Sequence, residues 1–179
     1  MKSLLRDTLM IVVLAAVIVI GLQYTVQRYA VDGPSMLDSF HDKQQLMVNK
    51  MVYYIHEPER GDVVIFQIPK LGEEGYIKRI IGLPGESVEI KEGTVYIHKE
   101  DGAVFPLDEP YVTDPARISY EGKVIPENEY FVMGDNRNNS SDSRSGWTLP
   151  RDKIIGKVWI SLWPFDSFGL VTSYAYTGN

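Results

Sequence analysis

The chain contains no cysteine. That excludes a disulfide framework, a thiol nucleophile and a cysteine-ligated metal. Histidine is scarce. His41, His56 and His98 are the only three, each beside charged residues in an expected loop or strand end, the usual setting of a solvated surface histidine. Cations are outnumbered, with 18 Lys and Arg against 24 Asp and Glu and a formal net charge of −6. Nucleic-acid binding needs a basic footprint, so an acidic chain is a poor candidate for it. Two familiar serine motifs are missing: no Gly-x-Ser-x-Gly occurs around Ser35, where Leu37 replaces the second glycine, and Ser-x-x-Lys occurs nowhere. There is no internal repeat and no helical periodicity after residue 30.

What is present is a globular composition, 44% hydrophobic and 23% charged over 179 residues. That length suits one domain with a small insertion.

One long apolar run stands at the N-terminus. Thr8 to Gln27 carries no formal charge, and Leu9 to Leu22 is almost wholly Leu, Ile, Val, Met and Ala. At 1.5 Å per residue, a helix of that length spans roughly 30 Å, the thickness of a bilayer core. A cleaved signal peptide would need small residues at its cleavage site, and Gln27-Arg28-Tyr29-Ala30 offers no Ala-X-Ala pattern. An uncleaved single-pass anchor over 1–28 is expected. Lys2 and Arg6 precede the span and Arg28 alone follows it closely. The positive-inside rule then places the N-terminus in the cytoplasm and residues 29–179 outside the cell membrane.

Beyond the anchor the pattern is one of short strands. Gln45–Asn49, Met51–Ile55, Asp62–Ile68, Tyr76–Ile81, Glu129–Met133 and Lys157–Trp163 read as strands, and 87–90 with 94–97 as a hairpin around Glu92-Gly93. Residues 99–128 are polar and hold Pro106, Pro110, Pro115 and Pro126. They read as a small inserted region with little core of its own. The fold class expected is mainly β: an N-terminal transmembrane helix, then a largely antiparallel β domain over 29–98 and 129–165, with the inserted subdomain at 99–128 and a tail at 166–179.

The chemistry centres on Tyr76-Ile77-Lys78-Arg79-Ile80-Ile81, which runs into Gly82-Leu83-Pro84-Gly85. Alternate residues of a strand share a face. Each face here therefore carries one cation between large apolar neighbours. Either both cations reach the surface along their alkyl stems, or burial disfavours the charge on Lys78 and makes it a usable general base near neutrality. Ser35, in the turn Gly33-Pro34-Ser35-Met36, is either a plain turn residue or a nucleophile in need of such a base. The loop from Gly134 to Arg144 is dense in Asp, Asn and Ser. Calcium is one reading, but Arg137 falls where a third ligand would, and no glycine falls sixth. A network pairing Asp135 and Asp142 with arginines is more economical, and no metal is expected.

Four stretches carry a family resemblance: Gly33-Pro34-Ser35-Met36, Arg60-Gly61-Asp62-Val63-Val64-Ile65-Phe66, Tyr76 to Gly85, and Met133 to Arg144. In this order, behind an N-terminal anchor, they resemble the type I signal peptidases of the bacterial Ser/Lys kind, in their single-anchor Gram-positive form. The resemblance spans roughly residues 1–165. It implies that Ser35 attacks the scissile carbonyl and that neutral Lys78 takes its proton. It further implies that Ser140 orients the lysine, that Asp142 pairs with Arg144 and Arg79 with Asp135, and that the Ser35 N–H serves the oxyanion. Met36, Phe40, Tyr76 and Ile77 match positions around the pocket for substrate residue −1, and Tyr29, Val31 and Ile77 those for residue −3. The implied activity is removal of signal peptides from exported preproteins after Ala-X-Ala-like sequences, at the membrane lipid surface and without a cofactor.

The chain departs from the family pattern in three places. Gly33 stands where some members carry a hydroxyl that helps the oxyanion, Asp38-Ser39-Phe40 replaces the usual Pro-Thr-Leu, and the insertion is short. Two rivals remain. The related self-cleaving repressors would require a soluble DNA-binding N-terminus, against the apolar run at 8–27. A catalytically inactive, membrane-anchored β domain that binds exported partners is the alternative from another functional class.

Overall fold

The computed structural model describes residues 2–68, 75–174 and 176. A helix, α1 (Lys2–Thr25), is followed directly by strand β1 (Val26–Ala30). The helix carries Leu9, Ile11, Leu14 and Val17 exposed. Several of its side chains, those at 18, 20, 22 and 24 among them, lie outside the described residues. Among the described residues no helix is long and apolar enough to cross a membrane, so the span expected at 8–27 rests on the sequence.

The remainder is built of short strands: β2 (Gln45–Asn49), β3 (Val63–Phe66), β4 (Tyr76–Gly82), β5 (Ser87–Lys91), β6 (Thr94–His98), β7 (Val104–Pro106), β8 (Tyr120–Glu121), β9 (Glu129–Met133), β10 (Leu149–Pro150), β11 (Ile154–Trp163) and β12 (Gly169–Leu170). The larger sheet runs β1-β2-β11-β3-β4-β9-β10, with β12 added on β11. Every pairing in it is antiparallel. The smaller sheet runs β7-β6-β5-β8.

Side-chain alternation distributes the strands over three apolar clusters. In β3, Val63 and Ile65 enter the cluster that holds Met36, Phe40 and Ile77, while Val64 and Phe66 enter the one that holds Ile80 and Tyr130. Strand β4 contributes Ile77 to the first and Ile80 to the second. Its Ile81 joins a third, with Val88, Val95 and Ile97 of the small sheet. Strands buried on both faces read as continuous Val/Ile runs, which is why β3 and β4 were legible in the sequence.

One expectation needs correction. Met51–Ile55 is not a strand: residues 52–54 form a single 3-10 turn. The Asn49 carboxamide accepts from the Met51 and Val52 N–H groups at 2.9 and 3.1 Å, an Asx-type contact that competes with extended backbone. The inserted region, expected to have little core of its own, shares one with the 87–98 hairpin. Its β7 and β8 flank the 87–98 hairpin in one sheet, and Leu107, Tyr111, Ala116 and Ile125 are buried there. The tail turns back onto the body through β12, with Tyr174 and Tyr176 packed on the third cluster. The hairpin turn itself suits Glu92-Gly93, whose φ values of 52° and 81° meet the demand of a two-residue primed turn.

Candidate active site

Strand β4 holds the site from one side. Neither of its cations reaches the surface: Lys78 is 4% exposed and Arg79 2%. Both sit in a central strand, paired to β3 at Val64 and Val63. Each cation instead finds a partner. The Lys78 Nζ lies 2.7 Å from Ser35 Oγ and donates to the Ile77 carbonyl at 2.9 Å. Burial pushes the Lys78 amine down to about 8, against the charges of Asp142 and Asp135, which favour the ammonium.

Arg79 donates through Nε and Nη2 to the two oxygens of Asp135 at 2.9 and 2.7 Å, and through Nη1 to the Gly61 carbonyl. Its guanidinium lies 4.0 Å from the Tyr111 ring centroid and 5.3 Å from that of Tyr174. Asp135, 2% exposed, is thus tied to the strand beside the lysine.

The loop after β9 closes the other side. Asp142 accepts from Arg144 Nε and Nη2 at 2.7 and 2.8 Å and from the Gly134 N–H at 3.1 Å. Burial works against its charge, yet Arg144 and that N–H hold its carboxyl below the usual carboxylate range. Asn136 grips the turn that carries Ser35: its N–H donates to the Ser35 carbonyl at 3.1 Å and its side chain to the Pro34 carbonyl at 3.0 Å. Ser140 does not contact Lys78 in this arrangement. Its Oγ is buried beside Asp142, whose charge it also favours. Gly134 packs between it and the turn that carries Ser35, for a Cβ on Gly134 would sit 2.3 Å from both Ser140 Oγ and the Ser35 carbonyl oxygen. Gly33 turns its own N–H onto Asp42 at 2.9 Å.

A cavity of about 90 Å³ opens beside Ser35 and Lys78. Of the six residues expected around substrate pockets, Tyr29, Val31, Tyr76 and Ile77 line it. Met36 and Phe40 are not in its lining; both are buried in the apolar cluster that also holds Ile65 and Ile77. Sequence reasoning missed Asn136, Gly134 and two buried ion pairs, Arg60 with Glu86 and Arg137 with Glu109. The dipeptide Arg60-Gly61 directly before an apolar strand was the one available signal of a buried cation. Among the described residues no group of three or more His, Asp or Glu is placed to hold a metal ion.

A family model described as Signal peptidase, peptidase S26, matches residues 3–163. The chain belongs to this family. Signal peptidase I S of Bacillus subtilis is 36% identical over 178 residues, covering 92% of this chain and 92% of that protein. Signal peptidase IB of Staphylococcus aureus is 33% identical over 185 residues, 93% of each. The crystal structure of a signal peptidase I from Enterococcus faecalis superposes with a TM-score of 0.50 at 30% identity, covering 57% of this chain and 97% of that one. As a member of the signal peptidase family the chain is a serine endopeptidase, and the reaction of that family is the removal of signal peptides.

Proposed function

We propose that the chain is a membrane-anchored signal peptidase in which Ser35 is the nucleophile and Lys78 the general base. The observation that carries this reading is the 2.7 Å approach of a buried lysine amine to the Ser35 hydroxyl. As Oγ attacks the scissile carbonyl carbon, its proton passes to the neutral Nζ. The Lys78 ammonium then protonates the departing amine, leaving an acyl-enzyme. A water, deprotonated by the same amine, hydrolyses the ester and restores the serine. When Nζ takes the proton it gains an N–H that needs an acceptor. The buried Ser140 hydroxyl, on the loop that closes the site, is suited to that task. The Ser35 N–H is assigned to the oxyanion. Gly33 is not, since its N–H is already engaged by Asp42.

Asp142 with Arg144, and Arg79 with Asp135, fix the loop and strand that present these groups. The small cavity lined by Tyr29, Val31, Tyr76 and Ile77 favours small side chains before the cut, as in Ala-X-Ala. The uncharged apolar run from Thr8 to Gln27 supports the anchor; Lys2 and Arg6 keep its start in the cytoplasm and the β domain outside. Anchoring raises the local concentration of enzyme and membrane-held preprotein.

The test is cleavage of an Ala-X-Ala preprotein in lipid by the native chain, Ser35→Ala and Lys78→Ala, with the cut located by mass. Cleavage after the second alanine by the native chain alone is the expected result. Activity in Lys78→Ala would place the base elsewhere. No cleavage by the folded native chain would favour the inactive binding domain.

A further inference from the structure

One stretch of the inserted region, Glu109-Pro110-Tyr111-Val112-Thr113, stands well after Ser35 and Lys78 in sequence. Its first four residues form a tight turn, closed by the Val112 N–H on the Glu109 carbonyl at 3.0 Å. Proline in the second position presets the backbone for such a turn. From this stretch three side chains reach three different parts of the active site.

Glu109 meets the loop after β9. Its carboxylate accepts two 2.6 Å bonds from Arg137, whose Nε donates to the Gly134 carbonyl at 3.2 Å. Tyr111 meets β4. Its buried ring lies 4.0 Å from the Arg79 guanidinium, which donates to both oxygens of Asp135. The Tyr111 hydroxyl donates to Glu109 at 2.8 Å and so ties these two contacts together. Thr113 meets the segment that follows Ser35, its hydroxyl donating to Asp38 at 2.7 Å. Asp38 stands where the family pattern has proline, and a proline side chain has no acceptor for Thr113.

These contacts converge on Ser35. Asp135 and Arg137 flank Asn136, which holds the Ser35 and Pro34 carbonyls. Both flanking residues are seated on the 109–111 turn, Arg137 directly and Asp135 through Arg79. Resting on the signal peptidase reading, we propose that Tyr111 is a positioning residue of the reaction. Its ring seats Arg79, and through Asp135 and Asn136 it keeps the Ser35 hydroxyl within reach of Lys78. Thr113 steadies the same segment from Asp38. The inserted region is then part of the catalytic apparatus, although it contributes no group that touches substrate.

The experiment measures kcat and KM separately on an Ala-X-Ala preprotein, with urea unfolding of each variant alongside. Tyr111→Phe keeps the ring over Arg79 and loses the hydroxyl bonds to Glu109 and Tyr176. Tyr111→Leu loses both. Neither Tyr111 nor Thr113 lines the small cavity beside Lys78, so KM is expected to change little throughout. In Tyr111→Leu kcat is expected to fall by about ten-fold or more, the scale of a small displacement of a reacting group. Tyr111→Phe is expected to stay near the native kcat while losing stability with its two bonds. Thr113→Val, at an exposed position, is expected to lose about three-fold in kcat, the scale of one hydrogen bond. A purely structural role gives another pattern: stability falls in both Tyr111 variants and kcat in neither. Native kcat in folded Tyr111→Leu, an equal kcat loss in Tyr111→Phe, or a loss carried by KM overturns the proposal. Where Tyr111→Leu does not fold, native kcat in Thr113→Val overturns it. A native chain that cuts no such preprotein overturns the signal peptidase reading, and this proposal with it.

Discussion

Lys78 donates to Ser35 Oγ at 2.7 Å although the two stand 43 residues apart in sequence. In the proposed mechanism the contact puts a lysine amine of pKa about 8 in place to take the serine proton. At pH 7 about one Lys78 in ten is then neutral. kcat/KM is therefore expected to rise close to ten-fold per unit below the pKa and to level off above about 9. A pH–rate profile on one Ala-X-Ala substrate, with chemistry rate-limiting, checks this; a flat profile from pH 6 to 10 contradicts it.

The same group links pH to stability. Its folded pKa, about 8, lies below the ordinary 10.5. Between those values the unfolded chain binds more protons, so stability rises with pH across that window. Below pH 8 the whole cost of burying the charge is present, about 3 kcal/mol for a shift of this size. Urea unfolding at pH 7 and pH 10 is expected to show the native chain gaining on Lys78→Met by that order. Parallel pH dependence in the two proteins would count against it.

Arg79 and Asp135 are a different kind of pair: both are buried, joined by two bonds, and 56 residues apart. Removing one partner leaves an uncompensated charge inside. Asp135→Asn is expected to destabilise the fold by about 3 kcal/mol. Replacing both, as Arg79→Met with Asp135→Leu, is expected to recover part of that loss. A double-mutant cycle by chemical denaturation separates the two cases. A double variant no more stable than Asp135→Asn would contradict this reading.

The strands and the two chemical centres were legible because their signals are local. Alternation around Lys78 and Arg79 exposed the conflict between charge and apolar neighbours, and that conflict marked the site. What the sequence hid depends on partners far along the chain. Arg60 meets Glu86 across 26 residues and Arg137 meets Glu109 across 28, with no periodic cue to join them. The polar stretch at 99–128 read as having little core of its own because Leu107, Tyr111, Ala116 and Ile125 are spread among prolines and charges; the hairpin they pack on was not foreseen as their partner. At Met51–Ile55 a β-rich composition lost to one side-chain acceptor, Asn49.

Gly134 offers the sharpest test of how tightly the site is built. Its neighbours leave no room for a methyl group: a Cβ would lie 2.3 Å from Ser140 Oγ and 2.3 Å from the Ser35 carbonyl oxygen. The Ser140 Oγ can rotate away, though the Ser140 Cβ, 2.6 Å off, cannot. The Ser35 carbonyl is backbone, and the Asn136 N–H holds it at 3.1 Å. Accommodating Gly134→Ala therefore requires the nucleophile turn to shift, and a shift of about 1 Å in a reacting group costs on the order of 10²-fold in rate. kcat is expected to fall by about that factor while KM changes little, because the small cavity beside Lys78 does not include Gly134. Adding Ser140→Ala to Gly134→Ala removes the hydroxyl but leaves the Ser140 Cβ and the Ser35 carbonyl in the way, so the double variant is expected to stay as slow as the single. Recovery in the double variant would show that Ser140, and not the Ser35 backbone, is what Gly134 makes room for.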